Sequence, residues 1–489
     1  MRVLRASFWR SIFRDETGQV LPIVALGMVV LLGMTGVAVD ISHAYLCQRE
    51  LQATCDAAAL AGATVIPTSL TSAPVIKTAT NYTALPGAKN NIYTNMSNVA
   101  MVSGYPALKC LATMQAQGIS CVGYLPYNAL QVRMTATVPT YFAKILGQSS
   151  ITISASSTAA KGGGSSRPYN IVVMIDTTGS MAAFDADCGN TQLNCVLNGV
   201  QVLLRYLDPC GTSQATCTFT QGNAANSVVR VSLFTFPQMT YLTAKYDSDC
   251  SSGNAYDTAY TFPPIGGTSY MPGTASNSVT YRVLDFQSDY RVSDTATVLN
   301  SNSLLTHALG AANGCPSMYV ATNTGQFGTY YAPPMYAAQA ALIQERTANP
   351  GTENVMIVLG DGDATAPQSA MDSSADTSGS YPSYLGECGQ AIDAARFATS
   401  QGTTVYSVAY GSPAVGCKPD INAGSFPNIS PCNEMSLIAS HPWDFFSDYK
   451  QTGSGSTCTA AQTMVSLNNI FLQIAGDLTV ARLIPDNTT

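Results

Sequence analysis

Two stretches carry the residue types that could do chemistry. The first is Asn170-Ile-Val-Val-Met-Ile-Asp176-Thr-Thr178-Gly-Ser180-Met181, where an apolar, mostly β-branched run meets an aspartate and a hydroxyl-rich turn. The second is Asn354-Val-Met-Ile-Val-Leu-Gly360-Asp361-Gly362-Asp363, a second apolar run ending in acid. Continuous apolar runs bounded by turn residues predict strands buried on both faces, as in parallel sheets. Asp176, Thr178 and Ser180 would then gather at one strand's carboxyl end, where open α/β sheets bind ligands. Close-set carboxylate and hydroxyl oxygens suit Mg2+ or Mn2+, with Ca2+ as a further candidate, rather than zinc. A structural turn in which Asp176 or Thr178 caps a following helix is the competing account.

The elements that must position these groups can be read around them. Apolar residues at helical steps (Leu193, Leu197, Val200, Leu204) predict a helix over 192–207, and Val228–Phe236 reads as a strand. Further helices are expected over 335–344, 388–400, 434–440 and 461–481, with strands at 403–410 and 444–449. Strands alternating with helices predict an α/β fold with a doubly wound, mostly parallel sheet. In the common strand order the first and fourth strands are neighbours at the switch point, so Asp176 and Asp361 converge. Asp363 stands two residues past the strand end and is the weaker ligand candidate.

The spacing Asp176-x-Thr178-x-Ser180 resembles the metal-ion-dependent adhesion site (MIDAS) of von Willebrand factor A (vWA) domains, with Thr178 in place of the usual first serine. That resemblance implies a Rossmann-like domain with Asp361 as the third-loop ligand. It also implies a threonine ahead of the helix preceding the fourth strand. In Phe327-Gly-Thr329-Tyr-Tyr-Ala this is Thr329, with Thr324 beside Gly325 as the alternative. The ligand set is then Asp176, Thr178, Ser180, Thr329 and Asp361, with an open position that in such domains receives a carboxylate from a protein partner.

Arg2, Arg5, Arg10 and Arg14 precede an apolar run from Val20 to Val39. About twenty such residues span a bilayer. The basic residues before the run set the amino terminus in the cytoplasm and the rest of the chain outside. A cleaved signal peptide, with Gly36-Val37-Ala38 as the cleavage site, is the rival reading. The long apolar run, and a helical stripe continuing through Cys47, Leu51, Cys55 and Ala58, favour an anchor. The strings Gly18-Gln-Val-Leu-Pro-Ile, Gly36-Val-Ala-Val-Asp40 and Leu51-Gln-Ala-Thr-Cys-Asp56 resemble Flp (tight-adherence) pilus-assembly proteins of the TadE/TadG-like type. The resemblance implies a bacterial inner-membrane protein, single-pass, with pilus or secretion components as partners and its large domain periplasmic or at the cell surface. Ile23 stands where a processed pilin-type subunit would carry glutamate, so a stationary anchor is expected rather than a polymerising subunit.

The expected organisation is a cytoplasmic 1–18, an anchor and extended helix over 19–64 and a small α+β spacer over 65–160. A flexible Gly/Ser linker over 161–167 follows, then the vWA-like domain over 168–482. Within the spacer, 65–125 reads as loop, followed by strand, short helix and strand over 130–158. Residues 237–323, rich in Ser, Thr, Tyr and Gly, read as a long surface insertion suited to protein recognition.

Composition limits function. Charged residues make up 10% of the 489 and the net charge is −7, so a nucleic-acid partner lacks a basic footprint. The 14 cysteines include no Cys-x-x-Cys pair, which removes zinc ribbons and points to disulfides outside the cytoplasm. Candidate pairs are Cys110–Cys121, Cys210–Cys217 and Cys417–Cys432. Three scattered histidines, no Gly-x-Ser-x-Gly elbow and no phosphate-binding Gly-x-x-x-x-Gly-Lys signature argue against an enzyme. The expected function is therefore a membrane-anchored pilus-assembly or adhesion protein binding a protein through a metal. A structural scaffold without functional metal is the alternative, and a metal-assisted hydrolase stands last.

Overall fold

The computed structural model describes residues 20–91, 95–119, 121, 125–164, 167–210, 222–224, 227–240, 279–294, 296–312, 317–320, 328–368, 377–413, 415–420, 422–448, 458 and 466–485. Helix α1 (Val20–Ala63) is long and apolar enough to cross a membrane. Its first part is exposed along its length, whereas Cys47, Leu51, Cys55, Ala58 and Ala59 are fully buried. This apolar stripe packs on the first sheet and on helix α2 (Ser72–Asn81).

That sheet contains β1 (Ser97–Met101), β2 (Ala107–Lys109), β3 (Ala129–Pro139) and β4 (Ser150–Ala160). The segment 65–125, read as loop, thus contains α2, a one-turn helix over Ala112–Gln115 and two strands. Their short length and mixed polarity give weak periodicity. The long β3–β4 pair follows the predicted alternation: Leu130, Val132, Met134, Ala136 and Val138 face α1, with polar residues between them.

The second sheet is built from β5 (Tyr169–Asp176), β6 (Val229–Thr240), β7 (Val279–Gln287), β8 (Glu353–Gly360), β9 (Thr403–Ala409) and β10 (Phe445–Ser447). Their order is β10-β9-β8-β5-β6-β7, parallel throughout except for the antiparallel edge strand β7. Both faces are covered. Ile171, Val173 and Ile175 share one core with α3 (Gln192–Tyr206) and α7 (Leu467–Asp477). Val172 and Met174 share the other with α4 (Ala332–Ala348), α5 (Glu387–Ser400) and α6 (Pro431–Ile438). The sheet is mostly parallel, as expected. Part of the stretch read as a surface insertion supplies strand β7, and Leu305, Ala308 and Leu309 from it are core residues.

The boundary between the two parts is tighter than a flexible linker. After α7 the chain returns as β11 (Arg482–Ile484), which pairs antiparallel with β4 of the first sheet. Gly163 N donates to Thr479 Oγ1 at 2.7 Å and Gly164 N to the Val480 carbonyl at 2.9 Å. A Cβ on Gly162 would collide with the Gly476 carbonyl, so this glycine serves close approach, not freedom.

Among the described residues the cysteines are largely paired. Cys110–Cys121 is present as expected, and Cys188–Cys195, Cys388–Cys417 and Cys432–Cys458 are further disulfides. Cys417–Cys432 is therefore incorrect. Adjacency in sequence misled because Cys388, at the start of α5, lies against the loop that holds Cys417. Cys210 is disulfide-bonded, but Cys217 lies outside the described residues. Cys47 and Cys55 remain buried thiols in the apolar stripe of α1, and burial pushes the Cys55 thiol up to about 12. Mass mapping of a non-reduced digest is expected to link Cys388 to Cys417 and Cys432 to Cys458, with Cys47 and Cys55 free. A Cys417–Cys432 peptide would contradict this arrangement.

Candidate functional site

Strand β5 is buried from end to end, so its terminal carboxylate is delivered to a fixed point at the sheet's carboxyl edge. Its register with β8 aligns Ile175 with Leu359, which brings Asp176 level with Gly360 and makes Asp361 the first residue past the end of the neighbouring strand. Asp176 Oδ1 accepts from Thr178 N at 2.7 Å and from Thr178 Oγ1 at 2.6 Å. The Thr178 and Ser180 hydroxyls lie 3.0 Å apart. Asp176 Oδ2 is buried and has no hydrogen-bond partner among the described residues. Asp176 and Thr178 are buried, Asp361 is half-buried and Ser180 is exposed, so the group rises from the sheet edge to the surface.

The electrostatics follow from this crowding. Burial, and then the neighbouring charge of Asp361, push Asp176 up to about 8, against the lowering effect of the Thr178 bonds. Burial pushes Asp361 up to about 6, with Asp363 adding repulsion, while the Asp363 backbone N–H bonds its carboxylate at 3.1 Å. Two neighbouring carboxylates at least partly removed from water repel one another when both are ionised.

The loop after β8 is shaped by residues that sequence reasoning passed over. The fully buried Tyr331 hydroxyl accepts from Gly362 N at 2.8 Å. A Cβ on Gly360 would overlap that hydroxyl, and Gly362 sits at φ 77°, a left-handed conformation natural to glycine. Thr329 is buried two residues before Tyr331, and its carbonyl accepts from Thr365 N at 2.9 Å. Thus Asp176, Thr178 and Ser180 are joined by hydrogen bonds, and strand register sets Asp361 beside them. Thr329 is connected to the Asp361 loop through its backbone. Thr324 lies outside the described residues. Asp363 faces elsewhere, its carboxylate accepting from Cys417 N at 2.8 Å.

Behind this loop lie three fully buried acids, Glu387, Asp420 and Glu434. Burial first, then mutual repulsion, pushes Glu387 up to about 9 and Glu434 well above its usual range. Asp420 lies close to the sulfurs of Cys388 and Cys417, but these are bonded to each other and offer no thiolate. Nothing in the local sequence marked these acids, since their burial depends on the packing of α5 and α6.

Comparison with known proteins bears on the other end of the chain. Residues 18–65 match the Flp pilus-assembly TadE/G-like family, and residues 55–159 match the Tad-like Flp pilus-assembly family. The amino-terminal segment is Tad-like. The matched residues cover α1 and β1 to β4 of the first sheet, but for the last residue of β4, and stop before β5. No curated protein matches the chain. Similar solved structures include the pilus adhesin SpaC from Lactobacillus rhamnosus GG in its open conformation. It is 14% identical with TM-score 0.34, covering 71% of this chain and 32% of SpaC. Another SpaC form is 13% identical with TM-score 0.35, covering 72% and 32%. The conserved hypothetical protein BatB from Bacteroides thetaiotaomicron is 12% identical with TM-score 0.26, covering 63% of this chain and 98% of BatB. The chain spans about a third of the SpaC structures it matches.

Proposed function

We propose that this chain is a membrane-anchored component of Flp pilus assembly that binds a protein partner through a divalent cation held at a vWA-type site. The family matches over residues 18–159 support the pilus setting, and the apolar α1 supports the anchor. In this reading the amino terminus is cytoplasmic, the anchor lies in the inner membrane, and both sheets lie outside it. The second sheet, with helices on both faces, is read as the doubly wound vWA arrangement.

One observation carries the metal reading: a buried Asp176 oxygen without a partner, beside a second carboxylate and two hydroxyls. Asp176, Thr178, Ser180 and Asp361 would hold Mg2+ or Mn2+, with Thr329 completing the set. When bound, the cation would supply an open coordination position for an acidic side chain of the partner. The chain's own residues orient the hydroxyls through Asp176 Oδ1 and hold the Asp361 loop through Tyr331. Calorimetry with MnCl2 on the full chain in detergent is expected to give one site that disappears in Asp176→Ala. The full chain is required because β11 ties the second part to the first. Heat unchanged by Asp176→Ala would leave the scaffold reading.

A further inference from the structure

The turn between β3 and β4 carries apolar residues where a soluble hairpin would carry polar ones. Ile145 is 83% exposed and Leu146 80%, with Tyr141 and Phe142 also exposed and Lys144 beside them. The turn lies against α1. Phe142 covers Gly36 so closely that no Cβ would fit there, and the Tyr141 ring lies 5.1 Å from that of His43. Asp40, 3% exposed on α1, accepts three backbone N–H bonds from the turn: Tyr141 at 2.7 Å, Phe142 at 3.0 Å and Ala143 at 2.6 Å. These are charge-assisted bonds and fix the turn to the helix.

We infer that the Tyr141–Leu146 turn is a second membrane contact, inserted into the lipid bilayer alongside α1. This rests on the reading of α1 as a membrane anchor. Gly36 lies one helical turn before Asp40, about 6 Å along the axis, so Phe142 sits within the apolar span. The exposed apolar surface of α1 continues past Asp40 through Ile41, Tyr45 and Leu46. From Val20 to Leu46 the helix measures roughly 40 Å, the thickness of a bilayer with its headgroups. Asp40 and the turn therefore fall at the outer edge of the hydrocarbon.

Irregular backbone survives at that depth only where its polar groups are satisfied by protein. Most of the turn's N–H groups meet this condition. The N–H groups of Thr140, Ile145, Gly147 and Gln148 bond carbonyls within the turn, and Asp40 takes those of residues 141–143. The same bonds keep the Asp40 carboxylate away from lipid. Tyr141 and Lys144, with Tyr45 and Arg49 on α1, form the aromatic and basic belt expected at an interface.

The test is an Ile145→Trp substitution in the full chain, reconstituted in phosphatidylcholine vesicles brominated in the upper acyl chain. The unsubstituted chain supplies the background emission. The added emission is expected to fall by roughly twofold in brominated relative to ordinary vesicles and to resist aqueous iodide. Adding Asp40→Ala is expected to weaken the lipid quenching and restore quenching by iodide. A chain that floats with the vesicles while Trp at position 145 is quenched only by iodide overturns the inserted turn but leaves the anchor. Shielding from both quenchers would mean that protein covers the turn, and overturns it equally. A chain that does not float overturns the anchor reading and this inference with it.

Discussion

Asp176→Asn is expected to stabilise the chain in chelator at neutral and alkaline pH, and to erase its response to Mn2+. The carboxylate ionises at about 3.8 in the unfolded chain, whereas burial and Asp361 push it to about 8 in the folded one. Between those values the folded state holds a proton that the unfolded state has lost. The contribution of Asp176 to stability is therefore greatest below about pH 4 and falls as pH rises through about 8, by a total on the order of several kcal/mol. Asparagine removes that loss. Its amide oxygen still accepts the two Thr178 bonds, and its amide nitrogen places a donor where a charge repelled Asp361. On the proposed reading, Mn2+ held by Asp176 and Asp361 would offset this repulsion in the parent chain. At about a hundredfold excess over Kd it adds roughly 3 kcal/mol. Melting curves in EDTA and in MnCl2 at several pH values would show a steeper loss with rising pH in the parent than in the variant. A variant melting well below the parent in EDTA at about pH 8 would mean that the ionised carboxylate is not repelled there, and would sink the reading.

What could be read in advance divides along a physical line. The run Ile171–Ile175 is uniformly apolar because both faces of β5 are packed, so the strand and its parallel surroundings were visible in the residues. The helix over 192–207 was visible for a similar reason, since its apolar residues recur with the helical period. The juxtaposition of Asp176 and Asp361 followed from strand order, and the β5–β8 register places them on adjacent strand ends. Features made by contacts between distant segments were not legible. The β11–β4 pairing joins residues more than three hundred positions apart, and three residues carry too little pattern to announce a strand. The Cys388–Cys417 pair depends on how α5 meets the following loops. Tyr331 matters through a hydroxyl that meets Gly362 only after α4 has docked on the sheet. The glycines at 162–164 have a linker's composition but the surroundings of a packing site, a difference that only the neighbouring chain reveals.

Lys161→Met is expected to be among the most damaging single changes away from the candidate site, because Lys161 is 2% exposed where the two sheets join. Its ammonium donates to Gln473 Oε1 at 2.9 Å, and Gln473 Nε2 donates to Asp477 Oδ1 at 2.6 Å. One amide thus links a buried cation to a half-buried anion. Burial pushes Asp477 up to about 7 while Lys161 draws it back, and burial lowers Lys161 while Asp477 opposes that. Removing the cation leaves Asp477 uncompensated, which typically costs about 3–5 kcal/mol. Methionine matches the lysine stem, so little of the loss would come from packing. Without Lys161, the folded-state ionisation of Asp477 rises further above that of the unfolded chain. The variant's deficit should then shrink on acidification below about pH 7 and grow above it. Adding Asp477→Leu should recover much of the loss, since an apolar pair of similar volume replaces the ionic one. Thermal melts of both single variants and the double variant, at about pH 5 and about pH 8, give the coupling directly. A deficit that ignores pH and persists in the double variant would assign the role of Lys161 to its stem rather than to its charge.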